Sequence, residues 1–135
     1  MRPQSMIYFD WLYGLSLLLS ALQIPFQPAN PEMPGTTNYF IYAGLFAVAL
    51  LFWYAISLRA SNAMRWIYSI LVGLNLIAAL IALAASASLG TLALALVIFG
   101  SVVDVVSVYM LFTADAKYWF ATGGDKGAVN PSVFR

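Results

Sequence analysis

The stretch that most constrains this chain is residues 89–113, LGTLALALVIFGSVVDVVSVYMLFT. As a helix it is long enough to cross the ~30 Å hydrocarbon core of a bilayer, and its only charged side chain is Asp104, near the middle. A carboxyl group among lipid tails is costly, so such groups face the interior of a helix bundle or a polar cavity. We therefore expect the rest of the chain to place helices or polar groups around Asp104.

The composition of the whole chain also requires a lipid environment. Of its 135 residues 63% are hydrophobic and only 8% are charged, whereas soluble domains carry about 25% charged residues. We predict an all-α fold, an integral membrane four-helix bundle whose helices run up, down, up and down. The predicted spans are 6–24, 39–58, 66–85 and 89–113. Residues 1–120 form this transmembrane domain in the prediction, and residues 121–135 form a flexible cytoplasmic tail.

The positions of the charged residues predict the orientation of the bundle. All six basic residues lie on the side that holds both termini: Arg2, Arg59, Arg65, Lys117, Lys126 and Arg135. The proline-rich connection after the first span lies on the other side and has Glu32 as its charged residue. Because basic residues concentrate on the cytoplasmic side, we expect both termini in the cytoplasm. Arg59 and Arg65, which flank the connection between the second and third spans, are the predicted topology determinants.

The tryptophans support the same orientation. Each lies at or near a span end that is predicted to be cytoplasmic: Trp11, Trp53, Trp66 and Trp119. Tryptophan is enriched at the boundary between lipid and water, because its ring is apolar and its N–H can form a hydrogen bond. We therefore predict that these four side chains are interfacial anchors.

Small and polar residues predict how the helices pack. Transmembrane helices associate through small side chains and through hydrogen bonds between helices. Asn75 and Asp104 lie equally far from the cytoplasmic ends of their spans, so antiparallel neighbours place them at the same depth. We predict that Asp104 faces the bundle interior and forms an intramembrane polar pair with Asn75, with Ser16 and Ser107 as alternative donors. Alternatively, Asn75 contributes only to the packing between helices and binds no ligand.

Two short segments resemble a known class of proteins. Residues 61–68, SNAMRWIY, open the third span with an Arg-Trp pair, and residues 111–120, LFTADAKYWF, close the fourth span with a turn, an Asp-Ala pair and a Trp-Phe pair. In this layout the chain resembles small four-span bacterial inner-membrane proteins of unassigned function. The resemblance implies a fold and a multi-pass location in the cell inner membrane, and it implies no chemistry.

The residue types present limit the functions that we consider. The chain contains no Cys and no His, and we find no phosphate-binding loop, catalytic triad or metal-ligand spacing in its sequence. We therefore expect no enzyme activity and no catalytic, cofactor-binding or metal site. Because the six basic residues are dispersed, we also expect no nucleic-acid partner.

Two functions remain for a chain of this composition. The first is a non-enzymatic membrane protein that acts as an accessory or structural subunit of a larger membrane complex, or as a homo-oligomer. Its partners are then the lipid bilayer and other membrane-protein subunits or itself. The alternative is a small proton- or cation-linked transporter or channel that uses Asp104, because an intramembrane acid is a functional candidate by default. The sequence leaves open whether Asp104 titrates in function or only packs.

Overall fold

All regular structure in the described residues of the computed structural model is helical, and these residues are 2–24, 35–85 and 90–124. In chain order the helices are α1 (Gln4–Gln23), α2 (Gly35–Trp53) with a π-helical end (Tyr54–Leu58), α3 (Asn62–Ala85), α4 (Thr91–Leu111) and α5 (Ala114–Ala121). Several predicted features lie outside the described residues: Glu32, Lys126, Arg135 and the tail beyond Gly124.

Four of these helices are long and apolar enough to cross a membrane. They cover Gln4–Gln23, Thr37–Leu58, Asn62–Ile81 and Thr91–Leu111. For the described residues the all-α prediction and the four apolar spans are therefore confirmed, and the up-down-up-down topology with cytoplasmic termini stays a prediction. The third helix begins ahead of its predicted start at Trp66, because Ser61 caps it. The N–H of Met64 donates to the Ser61 hydroxyl at 3.4 Å, which is the contact expected of an N-capping residue.

The connection between α2 and α3 is compact because α2 ends in a wider π turn. There the N–H of Arg59 donates to the carbonyl of Tyr54 at 3.2 Å. The next residue, Ala60, has a φ of 48°, in the left-handed region that usually belongs to glycine at the end of a helix. The π turn places the hydroxyl of Ser57 in contact with Asp10 of α1.

Helix α1 packs along α4 more extensively than any other two helices do among the described residues. The hydroxyl of Ser16 contacts the carboxylate of Asp104, and the amide of Gln23 lies 3.5 Å from the carbonyl of Leu96. The two helices therefore run in opposite directions. Helix α3 also packs on α4, whereas α2 touches the other helices at fewer points. As a result, α2 is held less closely than α1 and α4.

The buried side chains cluster in one half of the molecule, which we call the packed half. It contains the start of α1, the end of α2, the start of α3, the end of α4 and all of α5. Its largest side chains are Met6, Phe9, Tyr13, Ile56, Tyr68, Leu111, Trp119 and Phe120. The rings of Phe9, Tyr13 and Tyr68 contact one another, with centroids 5.4 to 6.0 Å apart. Aromatic side chains therefore fill the space between the helices in this half.

Helix α5 is a short helix that the four-span prediction does not contain. Its buried residues Ala116, Trp119 and Phe120 are three and four residues apart, a spacing that places them on one face of a helix. This face packs into the packed half and covers the ends of the longer helices. The helix therefore forms because its apolar face is buried against α1 and α4.

An acidic residue connects α5 to the start of α1. The carboxylate of Asp115, in the first turn of α5, accepts a hydrogen bond from the N–H of Ser5 at 3.3 Å. Partial burial alone would raise the pKa of Asp115, but hydrogen bonding by Thr113, Ser5 and the Ala116 amide outweighs burial and lowers this pKa below its usual value. The charged carboxylate is therefore the form that docks α5.

We expect Asp115→Asn to destabilise the docking of α5 by about 1 kcal/mol at neutral pH, because it removes a negative charge from a first helical turn. The pKa of Asp115 in the folded protein lies below its ordinary value of 3.8. The stabilisation is therefore present above that value and is lost as the pH falls through the folded pKa. Thermal unfolding in detergent at neutral pH and at about pH 3 measures the difference. Lys117→Gln, at an exposed position of α5, is the control. Equal stability of wild type and Asp115→Asn at neutral pH contradicts the prediction.

Candidate functional site

A cavity of about 580 Å³ lies between the four long helices, outside the packed half. All four helices line it, for example through Ser20, Phe46, Ala79 and Gly100. The lining comes mostly from the second halves of α1 and α3, the middle of α2 and the first half of α4. Pockets that bind small molecules have volumes of roughly 300–1,000 Å³, so this cavity is large enough for a small ligand.

Asp104 lies where the cavity meets the packed half. Its carboxylate accepts a hydrogen bond from the hydroxyl of Ser16 at 2.5 Å, and both residues line the cavity. One turn further along α4, the fully buried Ser107 donates to the backbone carbonyl of Asp104 at 2.8 Å. The Ser107 hydroxyl also lies 2.9 Å from that of Tyr68. Asp104 therefore borders the cavity on one side and a chain of buried hydroxyl groups on the other.

The cavity has two chemically different walls. Most polar side chains of the lining come from α1 and α4, and we call them the polar wall: Ser16, Ser20, Gln23, Ser101 and Asp104. Their spacing of three or four residues places them on one face of each helix. The same side of the cavity also has four apolar side chains: Leu17, Leu19, Ile24 and Val97. Side chains from α2 and α3 form the apolar wall: Leu45, Phe46, Ala49, Ala78, Ala79 and Leu83. Tyr42 and Asn75 add a hydroxyl and an amide group to this second side.

Asn75 and Asp104, the predicted polar pair, line the same cavity. Among the described residues, however, the hydrogen bond to the Asp104 carboxylate comes from Ser16, the alternative donor, and not from Asn75. The depth of a residue in a span follows from the sequence, but the identity of the nearest helix depends on packing. Because α4 packs more closely on α1 than on α3, a side chain of α1 reaches Asp104.

The four tryptophans occupy different environments. Trp11 and Trp66 are 77% and 53% exposed, which suits the predicted interfacial anchors. Trp53 is half-buried, and its ring N–H donates to the carboxylate of Asp10 at 2.9 Å. Trp119 is only 4% exposed and belongs to the packed half. The ring of Trp119 therefore contacts protein, and its role as an interfacial anchor stays a prediction.

The two predicted topology determinants also differ, since Arg59 is exposed and Arg65 is buried. The guanidinium carbon of Arg65 lies 4.8 Å from the ring centre of Phe112 and 4.7 Å from that of Phe120. Its NH1 group donates to the carbonyl of Leu111 at 3.4 Å. Contacts between a cation and an aromatic ring are typically worth about 0.5–2 kcal/mol. Arg65 therefore holds α5 against α3 and α4, and its effect on orientation stays a prediction.

A second polar cluster, absent from the predicted site residues, lies in the packed half at the start of α1. We call it the Asp10 cluster, and its members are Arg2, Asp10, Trp53 and Ser57. Arg2 pairs with one carboxylate oxygen of Asp10 at 2.8 Å, and Trp53 and Ser57 donate to the other oxygen. The cluster joins α1 to the end of α2. The sequence signal for this cluster was the presence of opposite charges, on Arg2 and Asp10, at the same end of the first span.

The groups present limit the chemistry of the cavity. Asp104 is the only carboxylate in its described lining, and the described residues hold no group of three or more His, Cys, Asp or Glu that could bind a metal ion. A carboxylate flanked by hydroxyl and amide groups binds a cation or a hydrogen-bond donor.

Comparison of the chain with protein-family models, with curated proteins and with solved structures finds no match. The cavity and its carboxylate are therefore the features that bear on function.

Proposed function

We propose that this chain is a small multi-pass membrane protein that binds a cationic solute at Asp104 as one step in moving it across the membrane. The observation that carries this proposal is a cavity of ligand size whose polar wall contains a single carboxylate. Acidic side chains within membrane spans are rare and mark ion or solute pathways. The cavity therefore favours the transport function over the accessory-subunit function, and neither requires enzyme activity.

The proposal includes a topology. The four long helices cross an inner membrane up, down, up and down, with both termini in the cytoplasm. The concentration of basic residues at one end supports this orientation, as for Arg2, Arg59 and Lys117. The packed half then faces the cytoplasm and the cavity lies in the outer half. A site at mid-membrane that is closed by packed side chains on the cytoplasmic side is one feature that a state of alternating access requires.

We expect Asp104→Asn to reduce cation uptake into proteoliposomes at least about tenfold, because contacts to a charged group contribute about 1.5–3 kcal/mol. The probes are radiolabelled sodium, potassium and phenyltrimethylammonium, each measured at equal amounts of reconstituted protein. Asp115→Asn makes the same substitution outside the cavity and is expected to transport as the wild type does. Circular dichroism checks that each variant is folded. If the wild type and Asp104→Asn take up each of the three probes equally, the proposal is overturned.

One observation supports the other function, an accessory subunit or a homo-oligomer. Helix α2 contacts the rest of the chain sparsely, and its residues Tyr39 and Phe40 are 74% and 79% exposed. A Cβ atom added at Gly44 would meet nothing within 4 Å, so a second helix can approach the backbone there. A stoichiometric partner or a dimer in mild detergent would support this function, and a monomer would count against it.

A further inference from the structure

The size of the cavity and its single charge limit the ligand that can fill it. Calcium sites draw several of their about six to eight oxygen ligands from carboxylates, whereas Asp104 is the one carboxylate in the described lining of this cavity. The volume of the cavity is about 580 Å³. An inorganic ion held by Asp104 and Ser16 would leave most of this volume without contact. A larger ligand that carries one positive charge matches both the volume and the charge.

The two walls match two different parts of such a ligand. On the polar wall, Asp104 complements one positive charge, and the hydroxyl of Ser16 contacts the same carboxylate. On the apolar wall, Phe46 offers an aromatic ring, and the small side chains of Ala78 and Ala79 leave room for a bulky group. Aromatic rings attract organic cations, and apolar surface that is buried against such a wall favours binding.

We infer that the ligand is a monovalent organic cation with an apolar body, whose charge contacts Asp104 and whose body lies against the apolar wall. This inference rests on the proposed function and names the class of its solute. A neutral apolar ligand would leave the carboxylate of Asp104 without an ionic partner, and an inorganic cation would leave the apolar wall uncovered. An organic cation satisfies both walls at once.

Equilibrium dialysis of phenyltrimethylammonium against the full chain in lipid nanodiscs tests this inference, with empty nanodiscs to correct for lipid partitioning. The charge of this probe is fixed, and tert-butylbenzene is its neutral carbon analogue of the same shape. We expect Asp104→Asn to bind phenyltrimethylammonium at least about tenfold more weakly than the wild type does. We expect tert-butylbenzene to bind both proteins equally weakly. If the neutral analogue binds the wild type as tightly as the cation does, the inference is overturned.

Substitutions at two neighbouring residues of α3 test whether the apolar part of the ligand lies against the apolar wall. Ala79 lines the cavity, whereas Leu80 is 66% exposed and is not part of the lining. We expect Ala79→Phe to fill part of the cavity and to weaken phenyltrimethylammonium binding about fivefold or more. Leu80→Phe adds a ring to the outer face of the same helix and is expected to bind as the wild type does. Equal binding by these two variants would overturn the assignment of the apolar wall.

The outcomes separate this inference from the function on which it rests. Asp104-dependent uptake of sodium or potassium, without Asp104-dependent binding of phenyltrimethylammonium, overturns the organic cation and leaves the transport function in place. Uptake and binding that are both independent of Asp104 overturn the two together. Asp104-dependent binding of phenyltrimethylammonium, with weak binding of tert-butylbenzene, supports the inference.

Discussion

Asp10→Ala is expected to lower the free energy of unfolding by about 3 kcal/mol. The substitution removes the acceptor that Arg2, Trp53 and Ser57 share in the packed half. A buried donor without a partner costs about 1–3 kcal/mol, and more if it is charged. The side chains of Arg2 and Asp10 are 27% and 23% exposed, so water replaces part of what is lost. The total is therefore smaller than the sum for three fully buried donors.

Reversible unfolding in mixed micelles of mild detergent and sodium dodecyl sulfate measures this loss. Asp10→Asn keeps an acceptor oxygen and is expected to lose less stability than Asp10→Ala. Trp11→Phe changes the neighbouring residue, which is 77% exposed, and is expected to stay within about 0.5 kcal/mol of the wild type. If Asp10→Ala unfolds at the same denaturant concentration as the wild type, the Asp10 cluster does not stabilise the fold.

The long helices could be predicted because hydropathy over the length of a span does not depend on tertiary contacts. The uncharged run of α2 and the nearly uncharged run of α4 are helical in lipid whatever their neighbours are. Their predicted ends are less accurate, since capping groups such as Ser61 extend α3 beyond its apolar part. Helix α5 was missed because a hydropathy window as long as a span cannot detect eight residues, although the spacing of Ala116, Trp119 and Phe120 carried the signal.

The partners of the polar groups were harder to predict than their depths. The depth of Asp104 follows from its position in the span, but its contact with Ser16 depends on which helix lies closest. The Asp10 cluster depends in addition on a π turn that places Ser57 next to Asp10. A local change in helical pitch has no clear signature in a single apolar run, so this contact could not be derived from the sequence.

The cavity itself could not be predicted, because its lining residues also suit close helix packing. Ala78, Ala79 and Gly100 are small residues of the kind that transmembrane helices place in their contacts. In the structure these residues line a cavity of about 580 Å³ instead. The difference arises from α2, which contacts the other helices sparsely. The spacing of small residues shows which faces turn inward, but it does not show how far apart they lie.

The proposed function requires that water reaches Asp104 through the cavity, and this requirement predicts a specific pattern of cysteine labelling along α4. The chain contains no cysteine, so each introduced thiol reports one position. Ser101 lines the cavity, Ser107 is fully buried in the packed half, and Val102 is 54% exposed outside the cavity lining. These three neighbouring positions therefore represent the cavity, the protein interior and the lipid-facing surface.

The single-cysteine variants Ser101→Cys, Ser107→Cys and Val102→Cys are treated in proteoliposomes with a trimethylammonium methanethiosulfonate, a reagent that is itself a monovalent organic cation. The cysteine thiolate attacks the sulfenyl sulfur of the reagent, which forms a mixed disulfide and releases methanesulfinate. The thiolate forms in water and is suppressed in apolar surroundings. We predict that Ser101→Cys reacts at least about 100-fold faster than the other two variants, and that adding Asp104→Asn slows this reaction. Equally slow labelling at all three positions would contradict a water-accessible, cation-binding cavity at Asp104.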